Sequence, residues 1–153
     1  MAEVETAQKP IANWENVRDE WVGAVVNLVA RVEEWCRRRD WPTRRIEKQL
    51  VDSPIGQYEV PALLIQVDLR KLLLEPVSRF VQKWEGVIDL YQMPQYDDVA
   101  SIYRRGGQWY CFREKTNENE PESSRSAESI SEVDLMAQLF TEGSFAELIL
   151  LKA

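Results

Sequence analysis

From Trp14 onward the apolar residues Val17, Trp21, Ala24, Val25, Leu28, Val32 and Trp35 recur at spacings of three and four. That period predicts an amphipathic helix. Asn13 suits its N-cap, with Glu15 and Asn16 in the first turn. Arg37, Arg38 and Arg39 favour the negative end of a helix dipole. Pro42 disfavours helical backbone at Trp41, so the helix is expected to end near residue 39. Val17, Val22, Val25, Val26, Val29 and Val32 make it a poor helix in isolation. Its apolar stripe therefore needs a sheet to pack on.

Past Pro42 the period shortens to two. Residues 44–51 alternate weakly and read as an edge strand, charged enough to resist edge-to-edge pairing. After the turn Ser53-Pro54-Ile55-Gly56, residues 58–67, 71–81, 87–92, 100–104 and 108–113 read as strands. The breaks between them are Asp68-Leu69-Arg70, Lys83-Trp84-Glu85-Gly86, Pro94-Gln95-Tyr96-Asp97 and Gly106-Gly107. Breaks that short predict an antiparallel meander. Leu63, Ile65, Leu72 and Leu74 share parity about the Asp68-Leu69 turn and should lie on one face. A two-residue loop there sets Pro61 opposite Pro76, where neither can donate to a ladder, so the hairpin must break or bulge. Gly106-Gly107 suits a primed two-residue turn. That register sets Tyr103 opposite Tyr110 and Ile102 opposite Cys111. Tyr103, Tyr110 and Phe112 then share one face, and Ile102, Trp109 and Cys111 the other. Both faces are apolar, so the hairpin is covered on both sides or carries a binding surface.

Residues 1–12 lack periodicity and read as a frayed tail. Residues 114–129 are polar and of low complexity, a mobile acidic linker. Ser129 with Glu132, and Ser144 with Glu147, resemble capping boxes opening two short helices, with Gly143 as a C-cap between them. Residues 148–151 fit a helix better than a buried final strand. The expected fold is α+β: an antiparallel meander sheet of five to six strands covered by a long N-terminal helix, with short C-terminal helices. Residues 13–113 form the body, and residues 130–153 add the C-terminal helices to the same domain.

A chain of 153 residues with 44% apolar and 29% charged positions is an ordinary globular domain. Its net charge of −7 is uneven. Residues 114–153 hold nine acids against three bases, which leaves the rest at −1. An acidic balance argues against non-specific nucleic-acid binding. Cys36 and Cys111 both stand beside aromatic residues and read as buried free thiols. No signal-like run opens the sequence and no apolar run approaches the ~20 residues of a membrane span. The expectation is a cytoplasmic protein without a membrane segment.

The sequence has no histidine, which excludes His-based triads, His general bases and imidazole zinc sites. No phosphate-cradling glycine motif occurs, and no cofactor is expected. A helix beside an acid-bearing meander loosely resembles restriction-endonuclease-like nucleases. That resemblance implies an acid followed by Glu-x-Lys on the next strand, and the chain has no Glu-x-Lys. Asp97-Asp98 could offer oxygen ligands to a hard cation, but Asp is ordinary in turns.

Two groups remain as candidate binding residues. Arg37, Arg38, Arg39, Arg44 and Arg45 cluster around Trp41 and could grip a phosphate backbone or an acidic peptide. Tyr103, Tyr110 and Phe112 would mark a protein-binding site if exposed. These features point to a non-enzymatic protein-binding domain of adaptor, immunity or chaperone type. Its partner would be another protein or a further copy of the chain. A carboxylate- and metal-dependent hydrolase or nuclease is the alternative, and a nucleic-acid-binding module the third.

Overall fold

A computed structural model describes residues 13–113 and 137–151. The tail (1–12), the acidic linker (114–129) and the first capping box (Ser129, Glu132) lie outside the described residues.

Helix α1 spans Trp14–Arg38, and Asn13 Oδ1 caps it by accepting from the Asn16 N–H. Its last turn closes through three backbone bonds: Arg39 and Trp41 N–H to the Cys36 carbonyl, and Asp40 N–H to the Arg37 carbonyl. Asp40 takes φ 59° in the position glycine usually fills. The chain thus turns off the helix into β1. Trp21, Val25, Leu28, Val29, Val32, Trp35 and Cys36 form the buried stripe, as the three-and-four spacing requires.

Seven antiparallel strands follow in chain order: β1 Thr43–Asp52, β2 Gly56–Val67, β3 Arg70–Ser78, β4 Val87–Met93, β5 Asp97–Arg105, β6 Gln108–Arg113 and β7 Gln138–Leu139. Helix α2 spans Glu142–Leu151. The fold is α+β, with α1 lying on one face of the meander.

The β2–β3 ladder runs from Val67 opposite Arg70 to Leu63 opposite Leu74 and stops there, short of Pro61 and Pro76. Prolines lack the N–H that would extend it. Beyond that point β2 stays paired with β1 alone while β3 continues against β4. The buried parity of β2 changes across the break, from Tyr58 and Val60 to Leu63, Ile65 and Val67. β3 ends at Ser78, earlier than the sequence pattern suggests. Asp52 is the cause: its carboxylate accepts from Tyr58 Oη (2.8 Å), Ser78 Oγ (2.8 Å) and the Arg79 backbone N–H (2.7 Å). This buried acid takes the backbone donor that a longer strand would need and ties three strands together. β5 starts earlier than its alternation suggests, because Val99 bulges between Tyr91 opposite Asp98 and Leu90 opposite Ala100.

The C-terminal part departs from the sequence reading in three places. Leu139 belongs to β7, paired with Tyr110, rather than to a helix. Gly143 lies inside the first turn of α2 rather than ending a helix. The cap of α2 is Thr141, whose Oγ1 accepts from Ser144 N–H while Ser144 Oγ accepts from Thr141 N–H. A Ser144–Glu147 box would have started the helix three residues late. Residues 148–151 are helical, as expected. The β7 pairing, with Phe140 N–H donating to the Trp109 carbonyl at 2.9 Å, delivers Phe140 against Trp35. Phe145 joins Trp35, Trp41 and Phe140, so α2 closes the far end of the covered face. Cys36 is a buried free thiol in this core, and Cys111 is buried in the same core.

Candidate functional site

Paired residues on neighbouring strands share a face, so register sorts every side chain. Leu63, Leu74, Leu90 and Ala100 form one cross-strand row, all buried in the core under α1. The next row, Leu64, Leu73, Tyr91 and Asp98, therefore points to the other side. Among the described residues no helix or strand crosses that second face.

Apolar residues are spread along this open face. Ile46 (37% exposed) lies at the β1 end and Leu139 (49%) at the β7 end. Leu64 and Tyr91 are half-buried, and Leu73 is shielded by its sheet neighbours. Tyr96, reaching back from the β4–β5 turn, packs edge-on against Tyr91 at 5.4 Å.

Toward β6 the face carries the aromatic group that the hairpin register assigns to one side. Tyr103 stands opposite Tyr110, and Phe112 opposite Ser101. The Gly106-Gly107 turn has the two positive φ values, 59° and 76°, of a primed hairpin. Tyr103, Tyr110 and Phe112 are half-buried rather than core. A fourth ring completes the group: Trp84 lies 5.3, 5.8 and 5.6 Å from Tyr103, Tyr110 and Phe112. In the sequence pattern Trp84 falls in the break between two strands. The signal that could have found it is the tryptophan itself, since so large an apolar side chain rarely stays in water.

Contacts with the β5–β6 turn hold Trp84 in place. The Arg105 guanidinium lies 3.8 Å from its ring centroid and donates to the Lys83 carbonyl. The Gly106 N–H donates to Glu85 Oε1 at 2.9 Å. On the other side of the loop, Gly86 (φ 143°) backs directly onto Trp21, where a Cβ would sit 2.3 Å from the indole. The loop before β4 thus touches the core on one side and the aromatic group on the other.

The structure does not bring the arginines together as one patch. Arg44 stands opposite Leu64 on the open face, whereas Arg45 faces α1 and binds Glu33 through two bonds of 2.8 and 2.7 Å. Arg37 pairs with Glu34. Arg38 reaches Glu142 at 2.9 Å, and Arg39 reaches it at 3.8 Å while lying over Trp41. Most of this positive charge is matched by acids of α1 and α2. A shallow cleft of about 380 Å³ lies there, lined by Ala30, Glu33, Glu34, Arg37, Trp41 and Pro42 among others.

Asp97 and Asp98 are exposed at the start of β5. Among the described residues no three of His, Cys, Asp or Glu gather closely enough to hold a metal ion. No helix there is long and apolar enough to cross a membrane. Burial pushes the Cys36 thiol up to about 12, which keeps it protonated at neutral pH. Comparison with known proteins finds no matching family model, no matching curated protein and no matching solved structure.

Proposed function

We propose that this is a protein-binding domain whose docking surface is the open face of the sheet, from Leu64 and Tyr91 to the aromatic group of Tyr103, Tyr110, Phe112 and Trp84. One observation carries the reading: a two-layer fold buries one face under α1 and leaves apolar and aromatic side chains across the other. Sheets with an apolar face need a covering layer. Apolar patches rimmed by polar groups mark interaction sites, and aromatics are enriched at interface centres.

The arginines are secondary in this reading, because Arg37, Arg38, Arg39 and Arg45 already pair with acids of the chain. The test is co-purification from the native host with the full chain and with a variant carrying Ile46→Lys and Leu64→Lys. Both positions are partly exposed, so the variant should melt close to the unaltered protein. The reading expects a stoichiometric partner lost in the variant. A partner retained equally by both would place the interface elsewhere.

A further inference from the structure

The open face is not uniformly apolar. Asp89 on β4 is half-buried there and accepts from Tyr91 Oη at 2.9 Å and Ser101 Oγ at 2.8 Å. Both donors are neutral, and among the described residues no lysine or arginine pairs with it. Glu75 stands opposite Asp89 on β3, and Asp98 opposite Tyr91 on β5. Register thus sets the three carboxylates around Tyr91 on one face, and burial, then Asp89, Glu75 and Asp98, raise the Tyr91 hydroxyl well above its ordinary value. Of the three, among the described residues, only Glu75 pairs with a cation, Lys48 at 3.0 Å. Leu64 and Leu73 continue the Tyr91 row toward β1, on the same face.

Any partner that covers this face desolvates Asp89. Two hydroxyl bonds offset only part of that cost, and an uncompensated buried carboxylate is expensive. A wholly apolar partner surface would leave the cost unmet. A second copy docked by a two-fold axis near Tyr91 would set carboxylates against carboxylates, since such an interface meets itself. A single cation within an apolar surface removes both problems. Helices pack on sheet faces, as α1 does opposite, and an amphipathic helix offers such a surface.

We propose that the open face takes an amphipathic helix of a partner protein whose apolar stripe carries one lysine or arginine, seated on Asp89 between Glu75 and Asp98. This rests on reading the face as a docking surface, and it adds the partner's chemistry. The apolar residues supply contact area and the carboxylates supply discrimination, because a stripe with an acid at that position meets like charge.

The test uses the full chain and three synthetic amphipathic helical peptides. They share a leucine stripe and differ at its central position: lysine, norleucine or glutamate. Affinity is read by fluorescence anisotropy at moderate salt. The lysine peptide should bind about tenfold tighter than the norleucine peptide, within the range for close interfacial charge pairs. The glutamate peptide should bind more weakly than both. Asp89→Asn keeps one oxygen acceptor and offers an N–H that the other hydroxyl can accept, and it should reduce the lysine advantage to about twofold or less. The peptide ranking on the unaltered chain stands even if that variant folds poorly. Equal affinity for all three peptides would overturn the cation and leave the docking surface standing. A lysine preference that survives in well-folded Asp89→Asn would also overturn it. If no peptide binds, or if Leu64→Lys leaves all binding unchanged, the docking reading fails and this proposal with it.

Discussion

The two faces of the sheet are built from alternate residues of the same strands, and they differ in kind. Toward α1 stand Leu63, Leu74, Leu90, Ile88 and Ile102, all essentially without exposure. Toward the open side stand Leu64, Leu73, Tyr91, Asp89, Ser101 and Tyr103. The covered face is nearly pure hydrocarbon closed by Trp21, Trp35 and Trp109. The open face mixes apolar side chains with a carboxylate and hydroxyls that bond to one another. A face made only for water would not hold Leu64, Leu73 and Tyr91 in one row. One made only to be core would not hold Asp89. The alternation thus separates a surface that holds the fold from one that stays open among the described residues.

Substitutions can break or sharpen that contrast. The largest effect is expected from Trp21→Ala, which removes a fully buried indole at the centre of the covered face. It should cost about 3–5 kcal/mol in denaturant unfolding. A cost below about 1 kcal/mol, the level of surface sites, would mean that α1 does not hold the sheet. Gly86→Ala should cost about 1–3 kcal/mol, since the added methyl meets Trp21 and the backbone there has φ 143°. Asp52→Ala should cost a similar amount. It leaves Tyr58, Ser78 and the Arg79 N–H without their shared acceptor. On the open face, Leu64→Ser should cost about 1 kcal/mol or less, because that side chain already meets water. A cost as large as that of Trp21→Ala would erase the distinction between the faces.

A further effect appears only in alkali. Cys36 is raised from 9.0 to about 12 by burial, with Glu33 adding to it. The folded state therefore favours the neutral thiol. That contribution is complete below about pH 9 and is lost as pH rises toward 12. Tyr58 is shifted upward as well, through burial and then Asp52, so its contribution falls away in the same direction above pH 10. Stability should be flat in this respect at neutral pH and fall across pH 9–12, less steeply in Cys36→Ala. An equal slope in that variant would remove Cys36 from the account.

How much of this was legible in the sequence depends on how local each signal is. The helix α1, its Asn13 cap, the Asp68-Leu69 and Gly106-Gly107 turns and the facing of Tyr103, Tyr110 and Phe112 follow from short-range period and turn chemistry. The interruption at Pro61 and Pro76 was legible for the same reason. Features set by distant parts of the chain were not. Ser144 with Glu147 looks like a helix start, yet the return of the chain to β6 sets the boundary at Thr141. The arginines are adjacent in sequence, but strand alternation sends Arg44 and Arg45 to opposite faces, and Glu142 arrives from a distant helix. Asp89 drew no more notice than the chain's other acids, because its setting depends on register across three strands.

On the proposed function, the open face and not the surface of α1 meets a partner. The direct test is photo-crosslinking in the native host, with benzoylphenylalanine placed in turn at Leu64 on the open face and at exposed Asn27 on α1. A discrete crosslinked species is expected from position 64 and none from position 27. Crosslinking from position 27 with none from position 64 would contradict it.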